Sequence, residues 1–143
     1  DDFFISYRKT KLKKGQFIYS IRIPLFKNNT FKAYKVSKRF DDDISSVCAA
    51  FNLEIIKNKV RNIRIAYGGM AAIPKRATYC EKVLLNSPVT DEVIYKAKKA
   101  LEKDFKPISD MRASRLYRME VAKNLLEKFC AEIKQKKLIG VYF

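Results

Sequence analysis

Basic side chains with aromatic neighbours are the most conspicuous groups able to do chemistry in this sequence. Lys32, Lys35, Lys38, Arg39, Arg61 and Arg64 fall in the first half, with Phe31, Tyr34 and Phe40 close by. Cations interleaved with aromatics can track phosphates and stack bases, so a stand-alone basic module that binds nucleic acid is one reading. Lysines continue through the second half, and neither an RNP-like aromatic motif nor a GxxG clamp in helical context occurs. A solvated or subunit-facing lysine surface therefore ranks above nucleic acid. The three carboxylates Asp41, Asp42 and Asp43 could in principle hold a hard cation. Consecutive residues rarely converge on one ion, so an acidic turn between strands is the preferred reading, with gating of a charged ligand as the functional variant. The glycine pair Gly68–Gly69 lacks the spacing of a phosphate loop. It reads instead as a strand end that needs positive φ or close backbone approach.

Histidine is absent altogether. That removes His-based triads, His metal ligands and the usual near-neutral general base. Cys48, Cys80 and Cys130 are scattered, with no CxxC pair, and fit neither a disulfide framework nor a zinc or iron–sulfur site. They read as buried thiols of a reducing, cytoplasmic compartment. The length of 143 residues suits one domain, and 48% hydrophobic residues supply a core despite the net charge of +16. No apolar run reaches the roughly 18–20 residues of a membrane span, and no signal-peptide pattern opens the chain. Beginning on Asp1, the chain reads as a piece of something larger.

The elements that must position these residues come in two regimes. Alternation predicts a strand over 16–25, ended by Pro24, and a second over 31–39, the two forming a hairpin across a turn at 27–30. The second strand places Phe31, Ala33 and Lys35 on one face, with Tyr34 and Val36 on the other. A third strand is predicted over 46–56 and a fourth from Val60 through Ile65, with a turn at 57–59. Helical periods follow. The stretch 75–85 is read as a helix opening after Pro74. Thr90 is read as the N-cap of a second helix, with Asp91 and Glu92 at its positive end. Its apolar stripe is Val93, Ile94, Ala97, Leu101 and Phe105. Ser109 or Asp110 is expected to cap a third, whose core face is Leu116, Met119, Ala122, Leu126, Phe129 and Ile133, widened by Leu125 and Cys130. The expected fold is α+β, an antiparallel sheet of about four strands followed by three helices packed on one face.

Four stretches, in order, resemble one family. The segment "FFISYRKTKL" at 3–12, running into "GQFIYSIRIP" at 15–24, resembles the end of the FAD-binding region of molybdenum hydroxylases. "FKAYKVSKRFDDDISSV" at 31–47 resembles their strand–acidic loop–strand segment, and "AYGGMA" at 66–71 their glycine pair. "SDMRASRLYRMEVAKNLL" at 109–126 is similar to the last helix of bacterial xanthine dehydrogenase flavin subunits. The resemblance implies that residues 1–14 close the FAD-binding region and that 15–143 form the flavoprotein C-terminal domain.

It further implies an oxidoreductase of purine metabolism, in which this piece alone is not catalytic. FAD would be shared with an N-terminal FAD-binding domain, and NAD would be the electron acceptor. The [2Fe–2S] clusters and the molybdenum–pterin would lie elsewhere, the latter in a catalytic partner subunit of a homo- or hetero-oligomer. No membrane partner is implied. The carried-over site residues are Tyr7, Arg8 and Lys9 on the flavin and nicotinamide side, Phe17 and Ile18 as an apolar pair against the flavin, and Lys35 as a cation at the flavin. Arg39, Asp41 and Asp42 belong to the loop that controls NAD access. Ser6 and Phe40 depart from the family pattern, which usually has Gly and a second basic residue there.

Overall fold

The alternation of Val47, Ala49, Phe51 and Leu53 along one stretch of chain buries all four side chains on a single sheet face. They belong to β4 (Val47–Ile56) in a computed structural model that describes residues 2–24, 29–40 and 42–135. Around it lie β3 (Thr30–Val36), β5 (Lys59–Gly68) and β6 (Lys75–Arg76) in the antiparallel order β3-β4-β5-β6. A separate two-stranded hairpin, β1 (Phe4–Ser6) with β2 (Lys9–Thr10), precedes them. The helices α1 (Thr78–Leu84), α2 (Asp91–Asp104) and α3 (Arg115–Gln135) follow.

Lys57 and Asn58 both have positive φ, 50° and 59°, the requirement of a tight two-residue hairpin turn between β4 and β5. On β5 the buried residues are Val60, Ile63, Ile65 and Tyr67, which breaks strict alternation. The register explains it. Ile55 pairs with Val60 and Glu54 with Asn62, so Arg61 is the extra residue of a bulge that moves the inward set by one.

The helices pack on the inward face. Phe51 is the hub of the core, stacked on Phe129 at 4.6 Å and edge-on to Tyr34 and Tyr67. Each such buried side chain contributes about 1.5–3 kcal/mol of transfer free energy. The Tyr67 hydroxyl is satisfied by donating to the Ala122 carbonyl at 2.9 Å. Two buried carboxylates are also fully engaged. Glu81 accepts the Ile65 N–H at 2.8 Å and pairs with Arg76 at 2.6 Å. Asp104 accepts the N–H groups of Tyr79 and Cys80 at the start of α1.

The α+β class and the sheet-then-helices order are as expected from the sequence, but not every element is. The strand predicted over 16–25 does not form: residues 16–24 pair with nothing among the described residues, and 25 lies outside them. Part of the turn expected at 27–30 is likewise outside. The strands predicted over 31–39, 46–56 and from Val60 form, and the sheet's remaining member is instead Lys75–Arg76, which pairs with Ala66 and Tyr67. Helix α1 therefore starts at Thr78, after the strand rather than after Pro74. Helix α2 has the predicted Thr90 cap, whose hydroxyl accepts the Val93 N–H, and the predicted stripe. In α3 the cap is Ser114, whose hydroxyl accepts the Tyr117 N–H at 3.2 Å. Ser109 and Asp110 bind N–H groups of the preceding turn and of Arg115 instead. Leu116 is consequently outside the core, 76% exposed in the first turn of the helix.

Candidate functional site

Part of the sheet face away from the helices has little side-chain bulk, with the larger Phe31, Asn52 and Arg64 forming the row beyond it. Lys35 on β3 lies opposite Cys48 on β4, which lies opposite Gly68 on β5. The next row is Ala33, Ala50 and Ala66. At about 4.8 Å per strand these rows make a smooth floor roughly 10 Å wide, with one cation standing at its edge. Lys35 is exposed there, as the alternation of β3 predicts, while Tyr34 and Val36 face the core.

Beside this floor is a cavity of about 540 Å³. Its lining includes Tyr7, Ile44, Cys48, Gly68, Gly69 and Arg118. Tyr7 reaches it from the turn of the β1–β2 hairpin, which Arg8 closes with a φ of 59°. Gly69 has φ +79°, and a Cβ there would collide with the Ser46 carbonyl, so the expected need for glycine holds at this position. Gly68 has ordinary room.

The acidic loop is built around Asp43 rather than its neighbours. The Asp43 carboxylate accepts the N–H groups of Lys38 and Arg39 at 3.1 and 3.0 Å and pairs with the Arg39 side chain at 3.5 Å. The Arg39 N–H chiefly, with the Arg39 charge adding to it, holds that carboxyl below the usual range. Asp42 takes φ 44° in the turn, and Asp41 lies outside the described residues. The loop is tethered by Lys38, whose ammonium donates to the Met111 carbonyl at 2.8 Å.

Of the predicted site residues, the structure brings Tyr7 to the cavity and Lys35 to the floor next to it. Arg8 and Lys9 follow Tyr7 in the hairpin. Arg39 and Asp42 stay on the loop, outside the cavity lining. Phe17 and Ile18 are not in the lining of this cavity and are 77% and 52% exposed. Sequence reasoning missed Arg118 and Asp110. Arg118 is only 3% exposed, and its guanidinium bonds the Ser46 carbonyl, the Gly69 carbonyl at 2.9 Å and Asp110 at 2.6 Å. A "YR" pair in a helix gives no local hint of this, because two of the three partners are backbone carbonyls far away in sequence.

Among the described residues, no three His, Cys, Asp or Glu side chains converge where a metal ion could be held. Cys80 and Cys130 are buried, which pushes their thiols up, the latter to about 12. No described helix is long and apolar enough to cross a membrane. Many lysines of the helical half are engaged in surface pairs, Lys96 with Glu92, Lys98 with Glu127 and Lys123 with Glu102.

The fold is that of a known class of flavoprotein domain. The family described as the CO dehydrogenase flavoprotein C-terminal domain matches residues 32–133. The glyceraldehyde dehydrogenase medium chain of Sulfolobus acidocaldarius is 31% identical over 133 residues, covering 92% of this chain and 47% of the relative. A xanthine dehydrogenase of Emericella nidulans is 38% identical over 107 residues, 72% of this chain and 8% of that protein. The solved carbon monoxide dehydrogenase of Hydrogenophaga pseudoflava superposes with a TM-score of 0.81 at 26% identity, over 88% of this chain and 44% of its own. This chain belongs to the CO dehydrogenase flavoprotein C-terminal domain family, as the four resembling stretches imply. It spans about half the length of the medium chains it matches. Nothing in these matches favours the nucleic-acid reading, which is set aside.

Proposed function

We propose that this chain is the C-terminal domain of the FAD-binding subunit of a molybdenum hydroxylase of the xanthine dehydrogenase type. In that role it forms one wall of the FAD and NAD site and part of a subunit interface. The observation that carries the reading is Lys35, exposed at the edge of a floor made only of Cys48, Gly68 and alanines, beside a cavity that Tyr7 enters.

The residues present fit one wall of a flavin and not the whole cofactor. A planar ring system can lie on a floor without bulky side chains, and a fixed cation beside it favours the anionic reduced ring by Coulomb attraction in a water-poor site. The diphosphate needs a Gly-rich segment, and four isolated or paired glycines do not make one. In this reading that segment lies in an N-terminal FAD-binding part of the subunit. The exposed apolar run Phe17, Tyr19, Ile21 and Ile23 suits packing on that part.

FAD, when bound, would collect electrons singly from the enzyme's iron–sulfur centres and deliver them in pairs, as hydride, to a dinucleotide acceptor. This chain's residues would orient and shield. Lys35 holds the charge, Phe17 and Ile18 cover the ring, and Tyr7 offers a phenol face to the nicotinamide. Arg8, Lys9 and Arg39 attract the acceptor's phosphates, with Asp41 and Asp42 tuning access through the loop. Molybdenum–pterin and [2Fe–2S] centres would lie in other domains or subunits, and the purine substrate with them. Xanthine dehydrogenases among the relatives support that finer reading. A cytoplasmic setting follows from the NAD-linked chemistry proposed.

The test joins this chain to the FAD-binding part of the same flavin subunit. The complex should be yellow and retain flavin, and Lys35→Met should slow NAD reduction or lower the flavin potential. A complex without flavin, or a Lys35→Met complex with both values unchanged, removes the assignment.

A further inference from the structure

One side chain holds three separate rims of the 540 Å³ cavity. The acidic loop ends at Ser46, where β4 begins, and contributes Ile44 and Ser45 to the lining. The end of β5 contributes Gly68 and Gly69, and the connection between α2 and α3 contributes Ile108, Asp110 and Arg112. The β4–β5 ladder ends at the Cys48–Gly68 pair, so beyond it the acidic loop, Gly69 and the α2–α3 connection have no strand pairing to one another among the described residues. They converge on Arg118, whose Nη1 donates to both the Ser46 and the Gly69 carbonyl while Nη2 donates to Asp110 Oδ1 at 2.6 Å.

The clamp is braced from outside. Asp110 also accepts the N–H groups of Arg112 and Ala113 at 2.9 and 3.2 Å, which fixes the connection as a turn. Ser46 donates its hydroxyl to the Arg112 carbonyl at 3.4 Å, and Lys38 reaches the Met111 carbonyl. The guanidinium is a planar fork that serves three acceptors in fixed directions, which an ammonium on a flexible stem does not reproduce. Burying such a charge is costly unless it is paired and hydrogen-bonded. Among the described residues, the burial is repaid through contacts to the cavity's rims. Gly69 serves the same arrangement, since any Cβ there would also come within 3.1 Å of Nη1.

We propose that Arg118 is a positioning residue that sets the opening of this cavity by tying the acidic loop, the β5 glycine pair and the α2–α3 connection to one guanidinium. The inference rests on the function proposed above only in taking the cavity for the acceptor side of the flavin wall.

Cys48 provides the readout, because it is half-buried in the cavity lining while Cys80 and Cys130 are buried in the core. Maleimide labelling of each thiol in the full 143-residue chain is to be compared for the unaltered protein and Arg118→Lys. Cys48 should label about tenfold faster or more, the factor for losing one charged hydrogen bond across the rim, with Cys80 and Cys130 still protected. An unchanged Cys48 rate overturns the proposal. So does acceleration of all three thiols together, which marks a residue that supports the fold as a whole. Should Arg118→Lys not fold, Asp110→Ala removes the acceptor of Nη2, frees one rim and leaves both carbonyl contacts, and the same comparison decides. In the assembled flavoprotein, Arg118→Lys should raise KM for the dinucleotide more than it lowers kcat. Faster Cys48 labelling with unchanged KM would leave the clamp standing and remove the acceptor reading of the cavity.

Discussion

The carboxylate of Asp104, the last residue of α2, accepts the backbone N–H of Cys80 at 2.9 Å. It accepts the N–H of Tyr79 at the same distance. Helix α1 has Ala77 at its N-cap and no side-chain cap of its own, so the end of one helix caps the beginning of another. A carboxylate at the C-terminal end of α2 is unfavourable for that helix's dipole, and the positive N-terminal end of α1 offsets it. The link also fixes the turn that returns the chain from the sheet to the helical layer.

Removing that carboxylate should therefore act on folding rather than on any ligand. Asp104→Ala is expected to lower stability by about 2 kcal/mol, the loss of a cap plus N–H groups left unpaired in the interior. Asp104→Asn keeps one acceptor and should lose less. Urea unfolding of the three proteins checks the order, and equal midpoints would rule out the cross-helix cap as a stabilising contact.

The two adjacent glycines should respond differently to the same change. Gly69→Ala places a Cβ against the Ser46 carbonyl at φ +79° and should cost about 3 kcal/mol. At Gly68 the added Cβ meets only the Cys48 Cβ at 3.6 Å, an ordinary contact. Gly68→Ala should stay within about 1 kcal/mol of the parent. Thermal unfolding separates the two, and similar losses would contradict the close approach at Gly69.

What the sequence revealed about the fold follows from where its partners lie. Val47, Ala49, Phe51 and Leu53 alternate against a core within the same chain, and the α2 stripe packs on its neighbours, so period alone locates both. Residues 16–24 alternate just as well but pair with nothing described here, and period cannot say whether a partner is present. Lys75 and Arg76 were drawn toward a helix by Pro74, yet their N–H and C=O groups are claimed by Ala66 and Tyr67, a tertiary pairing with no local signature. Lys35 was legible because its face is fixed by Tyr34 and Val36. Arg118 was not, because its acceptors at Ser46 and Gly69 are main-chain atoms that carry no residue type.

The unpaired segment yields a prediction of its own. Phe17, Tyr19, Ile21 and Ile23 recur at every second residue, and each is well exposed. Apolar side chains that contribute nothing to a core can be replaced at little cost. Phe17→Ser with Ile21→Lys should leave the unfolding midpoint of this chain within about 0.5 kcal/mol of the parent. The same pair should abolish association with the FAD-binding part of the flavin subunit in a size-exclusion assay. A large loss of stability would mean that the segment belongs to this domain's own core, and intact association would mean that the partner docks elsewhere.

The dependence on pH should come almost wholly from carboxylates. Without histidine, no side chain has an ordinary pKa between about 5 and 7, so stability should be flat there. The N–H of Arg112 first, and then the Arg118 guanidinium, hold the Asp110 carboxyl down at about 2 from its usual 3.8. A carboxyl that binds its proton less readily folded than unfolded stabilises the fold above its unfolded value. That contribution drains away as pH falls from 3.8 toward 2. Asp43, Glu92, Glu102 and Glu132 are shifted the same way, so an acid limb should remain in any single variant. Asp110→Asn should lower stability at neutral pH and flatten the limb below 3.8, bringing the two profiles together near pH 2. Urea midpoints taken from pH 7 to pH 2 test this. Parallel profiles with a constant gap would show that Asp110 acts through its shape in the turn and not through the charge that Arg118 holds.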